Sequence, residues 1–211
     1  MLLGIFDLGI NNLTSVQRAF SIPLRPTDKV IIVGDGQQEE RPDLLILPGL
    51  GSFGPGMRAL TERGLVEKIV NWTNDGSKLV GICLGMQLLG TTSQESPGVE
   101  GLNLIESRIE RLPADEGDRI PHVGWAETVT NSEVNFFPSL ASPGDFYFVH
   151  SYHLLPEEQE KILSKTGFGK KTFASSVISK NILGVQFHPE KSGAKGKTLV
   201  SEIVQWVRNE G

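Results

Sequence analysis

The 211-residue chain contains one cysteine, and its surroundings bear on chemistry. Apolar residues from Lys78 run into Gly81-Ile-Cys83-Leu-Gly85, with a glycine two positions to either side of the thiol. That is the spacing of a nucleophile elbow, in which a strand turns sharply into a helix and the glycines relieve crowding. A sulfur held there faces the unpaired N–H groups that open the helix, and these favour negative charge on it. The other reading is a buried structural thiol, the commoner fate of a lone cysteine.

A thiol nucleophile needs a base, and the chain has four histidines, His122, His150, His153 and His188. His188 stands in Gly184-Val-Gln-Phe-His188-Pro-Glu190-Lys. At a strand end, residues two apart project from one face with Cα atoms about 7 Å apart, so Glu190 can meet the His188 imidazole. Pro189 fixes its own φ and favours an extended exit. Alone, the tripeptide also fits an ordinary surface strand end; joined to the elbow it makes Cys83, His188 and Glu190 a candidate triad. His122, His150 and His153 are assigned no catalytic role.

The third segment is Leu44-Leu-Ile-Leu-Pro48-Gly49-Leu50-Gly51-Ser52-Phe53-Gly54-Pro55-Gly56, a buried strand delivering a glycine-rich loop. Free backbone N–H groups in such a loop can hold the oxyanion that develops in acyl transfer. A phosphate cradle competes, although no Walker lysine and no G-x-G-x-x-G pattern with its acidic follower is present. A tight turn without function is also compatible.

These segments need elements to position them. Short apolar runs at Leu2–Phe6, Lys29–Val33, Leu44–Leu47, Lys78–Ile82, Phe146–Val149, Thr172–Ile178 and Ile182–Phe187 predict strands, several buried on both faces. Helical stripes lie between them: Leu13, Val16, Ala19 and Phe20, with Asn11 or Asn12 as N-cap; then Met57 to Val70, with a break at Gly64; and Leu199 to Val207 at the end. Alternating strands and helices over the first ~95 residues predict βαβ units. Gly98 to Asp145, rich in Pro and Gly, reads as an antiparallel excursion. The fold class expected is therefore α/β, a mostly parallel central sheet flanked by helices, over one domain spanning 1–211.

Composition limits what such a domain does. Apolar residues at 38%, with 24 glycines besides, suffice for a core. A net charge of −5 argues against a nucleic-acid partner, and one cysteine excludes an intramolecular disulfide framework and a multi-cysteine zinc site. No apolar run approaches ~18 residues, so a soluble, cytoplasmic protein without membrane contact is expected.

With these motifs in hand, the sequence resembles the class I, or triad-type, glutamine amidotransferases of flavodoxin-like architecture, and within them the glutaminase subunits of imidazole glycerol phosphate synthase. The likeness spans nearly the whole chain: Asp7-x-Gly9-x-x-Asn12-Leu-x-Ser15-Val16, Leu47-Pro-Gly-x-Gly-x-Phe-Gly54, Gly81-Ile-Cys-Leu-Gly-Met-Gln87, Pro121-His-x-Gly-Trp125, Tyr147-Phe-Val-His-Ser-Tyr152 and Gln186-Phe-His-Pro-Glu-Lys-Ser-Gly193. It implies hydrolysis of L-glutamine to glutamate and ammonia, with Cys83 as nucleophile, His188 as base and acid, Glu190 as orienter, and neither metal nor cofactor. It further implies oxyanion donors at Leu84 N–H and within Gly49-Leu50-Gly51, and glutamine contacts at Gly51, Gln87, Ser151 and Tyr152. Ammonia would pass through a tunnel to a (βα)8-barrel cyclase partner of the histidine pathway in a heterodimer, with Asn11, Asn12, Arg18, Trp125, Tyr147 and Lys191 at or near the docking face.

Relatives that make histidine commonly read Asp-Tyr-Gly-Met-Gly-Asn and Gly-Trp-Asn where this chain has Asp7-Leu-Gly-Ile-Asn-Asn12 and Gly124-Trp-Ala-Glu127. The departures fall near the expected docking surface and not on the triad, so they bear on the partner more than on the chemistry. Two alternatives follow: a paralogous glutaminase feeding amidino-sugar formation in surface-polysaccharide synthesis, and a catalytically silent regulatory subunit.

Overall fold

The computed structural model describes residues 1–9, 13–35, 37–38, 40–130 and 137–209. In chain order the elements are β1 (Leu2–Phe6), α1 (Leu13–Ser21), β2 (Lys29–Val33), β3 (Leu44–Gly49), α2 (Phe53–Glu62), α3 (Leu65–Asn74), β4 (Lys78–Cys83) and α4 (Leu84–Leu88). There follow β5 (Thr92–Ser93), β6 (Ser107–Arg111), β7 (His122–Thr130), α5 (Pro138–Ala141), β8 (Gly144–His150) and β9 (Tyr152–Pro156). The last are β10 (Ile162–Phe168), β11 (Lys171–Ser179), β12 (Ile182–Val185) and α6 (Gly193–Arg208). Nine strands form one sheet in the order β2-β1-β3-β4-β12-β11-β10-β7-β8, while β5, β6 and β9 form a second, smaller one.

The fold is α/β, as expected. From β2 to β12 neighbouring strands run parallel; from β12 to β8 they run antiparallel. The antiparallel part reaches well beyond Asp145, through β10 and β11 to Ser179, which corrects the narrower Gly98–Asp145 expectation. The single stripe from Met57 to Val70 divides into α2 and α3 at Gly64, which sits at φ 66 in the left-handed region. The N-cap positions proposed for α1, Asn11 and Asn12, lie outside the described residues.

Successive side chains of the central strands feed two cores on opposite faces of the sheet, as period-2 geometry requires. Leu3, Ile5, Leu44, Ile46, Val80 and Ile82 join Phe20 of α1 and Leu199, Val200, Ile203 and Val204 of α6. Leu45, Leu47 and Leu79 face the other way, onto Met57, Leu60, Leu65, Ile69 and the α4 residues Leu84, Met86 and Leu88. Between these layers β3, β4 and β12 lie side by side, with Gly49 opposite Cys83 and Gly184 opposite Gly81. All three deliver their loops at their carboxyl ends, where open parallel sheets bind ligands. Among the described residues no helix is long and apolar enough to cross a membrane.

Candidate active site

Cys83 closes β4 and opens α4 with φ 55 and ψ −110, a backbone conformation that side chains rarely adopt. The turn is possible because α4 comes down directly onto the sheet. A Cβ on Gly85 would overlap the Leu47 carbonyl oxygen, and one on Gly81 would lie 2.8 Å from the Gly85 carbonyl and the Met86 nitrogen. The spacing read from the sequence is thus the spacing needed for a helix to pack against the strand it has just left.

His188 follows β12 and is 2% exposed. Its Nδ1 pairs with Glu190 Oε1 at 2.8 Å, both side chains being buried. With Nδ1 engaged, Nε2 has no hydrogen-bond partner among the described residues, and the neighbouring group that acts on the ring is Cys83. Burial alone would lower the His188 pKa; the adjacent Cys83 sulfur and the Glu190 carboxylate outweigh it and push it up to about 9. The turn is fixed from outside as well. His188 N–H donates to the Tyr147 carbonyl at 2.9 Å, and the Ser192 hydroxyl accepts from Tyr147 N–H at 3.0 Å while donating to the His188 carbonyl at 2.6 Å.

The sulfur opens on a cavity of about 310 Å³ lined by Leu50, Gly51, Leu84, Gln87, Ser151 and Tyr152, together with Ser52, Glu95, Pro121, Val149 and His150. Every substrate candidate read from the sequence therefore lines one space with Cys83. Gly51 takes φ 102, which turns the loop over that space, and Gly49 sits in register beside Cys83. The loop is held at its far end from β5 onward: Phe53 N–H donates to Glu95 Oε2 at 2.7 Å and Gly54 N–H to Ser96 Oγ at 3.0 Å, satisfying the open first turn of α2. No group of three or more His, Cys, Asp or Glu side chains placed to hold a metal ion occurs among the described residues.

The remaining candidates gather on a neighbouring surface. Trp125 is 56% exposed and meets the Tyr147 ring edge-on at 6.0 Å between centroids. Lys191 Nζ lies 6.0 Å from the Tyr147 ring centre, and Lys191 shares a cleft of about 470 Å³ with Arg18 and the buried Glu190. Asn11 and Asn12 lie outside the described residues. Of the residues that sequence reasoning passed over, Gln186 and Val149 contact the sulfur and Ser192 anchors the His188 turn. All three sat inside quoted motifs, but neither the type nor the spacing of Gln186 and Ser192 set them apart there, and Val149 acts through its backbone carbonyl, which no residue type reveals.

A cysteine on an elbow, a buried His–Glu pair beside it and a cavity at the carboxyl ends of an α/β sheet agree with the sequence comparison: the chain belongs to the class-I glutamine amidotransferases, whose family model matches residues 10–205. It is 40% identical to the imidazole glycerol phosphate synthase subunit HisH of Prochlorococcus marinus (strain NATL2A), over 98% of this chain and 97% of that one. To the protein of the same name from Pyrococcus furiosus it is 39% identical, over 94% and 95% respectively. The solved structure of PurLQS from Thermotoga maritima superposes with a TM-score of 0.73 at 16% identity, covering 98% of each chain, a likeness of fold alone.

Proposed function

We propose that the chain hydrolyses the side-chain amide of L-glutamine through Cys83, His188 and Glu190, and hands the ammonia to a (βα)8-barrel cyclase that makes imidazole glycerol phosphate. The observation that carries this reading is the buried His188–Glu190 pair, 2.8 Å long, set beside an elbow cysteine at the wall of a substrate-sized cavity. His188 takes the thiol proton and the sulfur attacks the amide carbon. The oxyanion then forms against the N–H of Leu84 and a peptide N–H in Gly49-Leu50-Gly51. The imidazolium gives its proton to the departing ammonia, leaving a glutamyl thioester that water cleaves with His188 again as base. Glu190 holds the ring with Nε2 toward the sulfur and stabilises its charged form. Gly51, Gln87, Ser151 and Tyr152 grip the two ends of glutamine.

The barrel would dock on the face bearing Trp125, Tyr147, Lys191 and Arg18. The name shared by the full-length relatives supports this partner over a polysaccharide-pathway barrel. Glutamate release should be slow for the chain alone and accelerate when the barrel and its ligand are added, and Cys83→Ala should abolish it. Full glutaminase activity without any partner would reject the channelling reading; hydrolysis surviving in Cys83→Ala would reject the nucleophile.

A further inference from the structure

The nucleophile has a polar neighbour that the triad does not require. Gln186, two residues before His188, is 0% exposed. A buried carboxamide is costly unless its donors and acceptor are paired. Its side chain bridges two residues of the site: Gln87 Nε2 donates to Gln186 Oε1 at 3.1 Å, and Gln186 Nε2 donates to Cys83 Sγ at 3.8 Å.

The two ends of a carboxamide have nearly the same shape, so its partners must decide which end is which. Gln87 Nε2 also donates to the Tyr152 backbone carbonyl at 2.8 Å, and a carbonyl oxygen only accepts. The group of Gln87 that faces Tyr152 is therefore its NH2. That same group faces Gln186, so the atom of Gln186 opposite it is the oxygen. The NH2 of Gln186 is left aimed at the sulfur. The Tyr152 carbonyl is itself held by a second donor, His150 Nδ1 at 2.9 Å.

The other backbone contact of the sulfur works in the opposite sense. Sγ donates to the Val149 carbonyl at 3.8 Å, an arrangement that suits a thiol and repels a thiolate. Once the proton leaves for His188, the Val149 contact turns unfavourable, whereas the N–H from Gln186 gains the strength of a charge-assisted bond. The geometry points to Gln186 as a residue that sets Cys83 reactivity: its carboxamide, locked in one orientation by Gln87 and the Tyr152 carbonyl, donates to the sulfur, stabilises the thiolate and holds it toward the cavity. This rests on the reading of Cys83 as the nucleophile.

Because Cys83 is the only cysteine, alkylation by iodoacetamide can be followed on the intact chain by mass, without partner or glutamine. Gln186→Met keeps the length of the side chain and removes both donor and acceptor. Its alkylation at pH 7 should be about tenfold slower, with the rate–pH profile moved about one unit upward. With the partner present, kcat for glutamine should fall by about the same factor, as for a contact that strengthens when charge develops on the sulfur. A folded Gln186→Met chain whose alkylation profile superimposes on that of the wild type overturns the inference. Should that chain not fold, Gln87→Met takes away the anchor of the Gln186 oxygen. It should slow alkylation in the same direction, and an unchanged profile there overturns the inference equally. Failure of the parent reading looks different: the wild-type chain with its partner would not hydrolyse glutamine, whatever the alkylation profile of Gln186→Met.

Discussion

Glu190 acts on His188 in two ways, and the two can be separated. It fixes the ring through Nδ1, and with Cys83 it keeps the ring protonated to higher pH than an ordinary imidazole, since His188 is pushed up to about 9 despite burial. In the proposed mechanism a protonated His188 is what departing ammonia needs. The alkaline limb of kcat/KM should therefore fall near pH 9, where the imidazolium loses its proton. Glu190→Gln removes the anion, so the His188 pKa drops and this limb moves to lower pH. Activity at neutral pH should fall by about two to four orders of magnitude, as when the orienting carboxylate of other triads is lost. A limb that stays near pH 9 in Glu190→Gln would show that the carboxylate does not set it. The His188–Glu190 pair was legible because the two stand two residues apart at a strand end, a spacing that brings a carboxylate to an imidazole. Gln186 was not, because a glutamine two residues before a histidine has no such signature until β4 is laid beside β12 and brings it to the sulfur.

Among the elements, the β4–α4 turn stores strain that a substitution can release. Glycine is ordinarily less stable than alanine in regular structure by roughly 0.5–1 kcal/mol, because it gives up more backbone freedom on folding. At Cys83, with φ 55 and ψ −110, the order should reverse, since a residue with a Cβ is held in a region costing about 1–3 kcal/mol. Cys83→Gly is expected to be about 1 kcal/mol or more stable than Cys83→Ala in urea unfolding. Equal midpoints, or an alanine advantage, would mean that the turn carries no strain. The parallel strands β1, β3 and β4 were readable because both of their faces are buried and their apolar runs are continuous. In contrast, β10 escaped notice because several of its inward positions are hydroxyls. Ser164 meets Ser175 at 3.0 Å and Thr166 meets Thr128 at 2.9 Å, so it lies buried without an apolar pattern.

Across the whole molecule, histidines of opposite character shape how stability depends on pH. Burial lowers the pKa of His122, His150 and His153, and His150 is driven to about 3 even though its Nδ1 donates to the Tyr152 carbonyl. A histidine kept neutral in the fold but free to protonate when unfolded contributes stability above the ordinary value of 6.5; for His150 that contribution is lost as pH falls from 6.5 toward 3. Asp28 adds to the same limb. It joins the N-terminal ammonium at the start of β1 to Arg208 at the end of α6, its pKa is lowered by Arg25 N–H and by those two charges against the effect of burial, and its contribution goes as it protonates below 3.8. His188 has the reverse sign. Raised to about 9, it contributes fully below 6.5 and loses that contribution as pH rises through 9. The free energy of unfolding should thus peak near pH 6.5 and fall on both sides, the acid side through the buried neutral rings and the alkaline side through the His188 imidazolium. Unfolding by urea at a series of pH values tests this with two variants, read by slope because each also changes packing. His150→Gln should flatten the limb below pH 6.5 and leave the alkaline limb, whereas Glu190→Gln should flatten the alkaline limb and leave the acid one. If either variant altered both limbs alike, the two histidine environments would not be acting independently, and the pH dependence would belong to the net charge of the molecule instead.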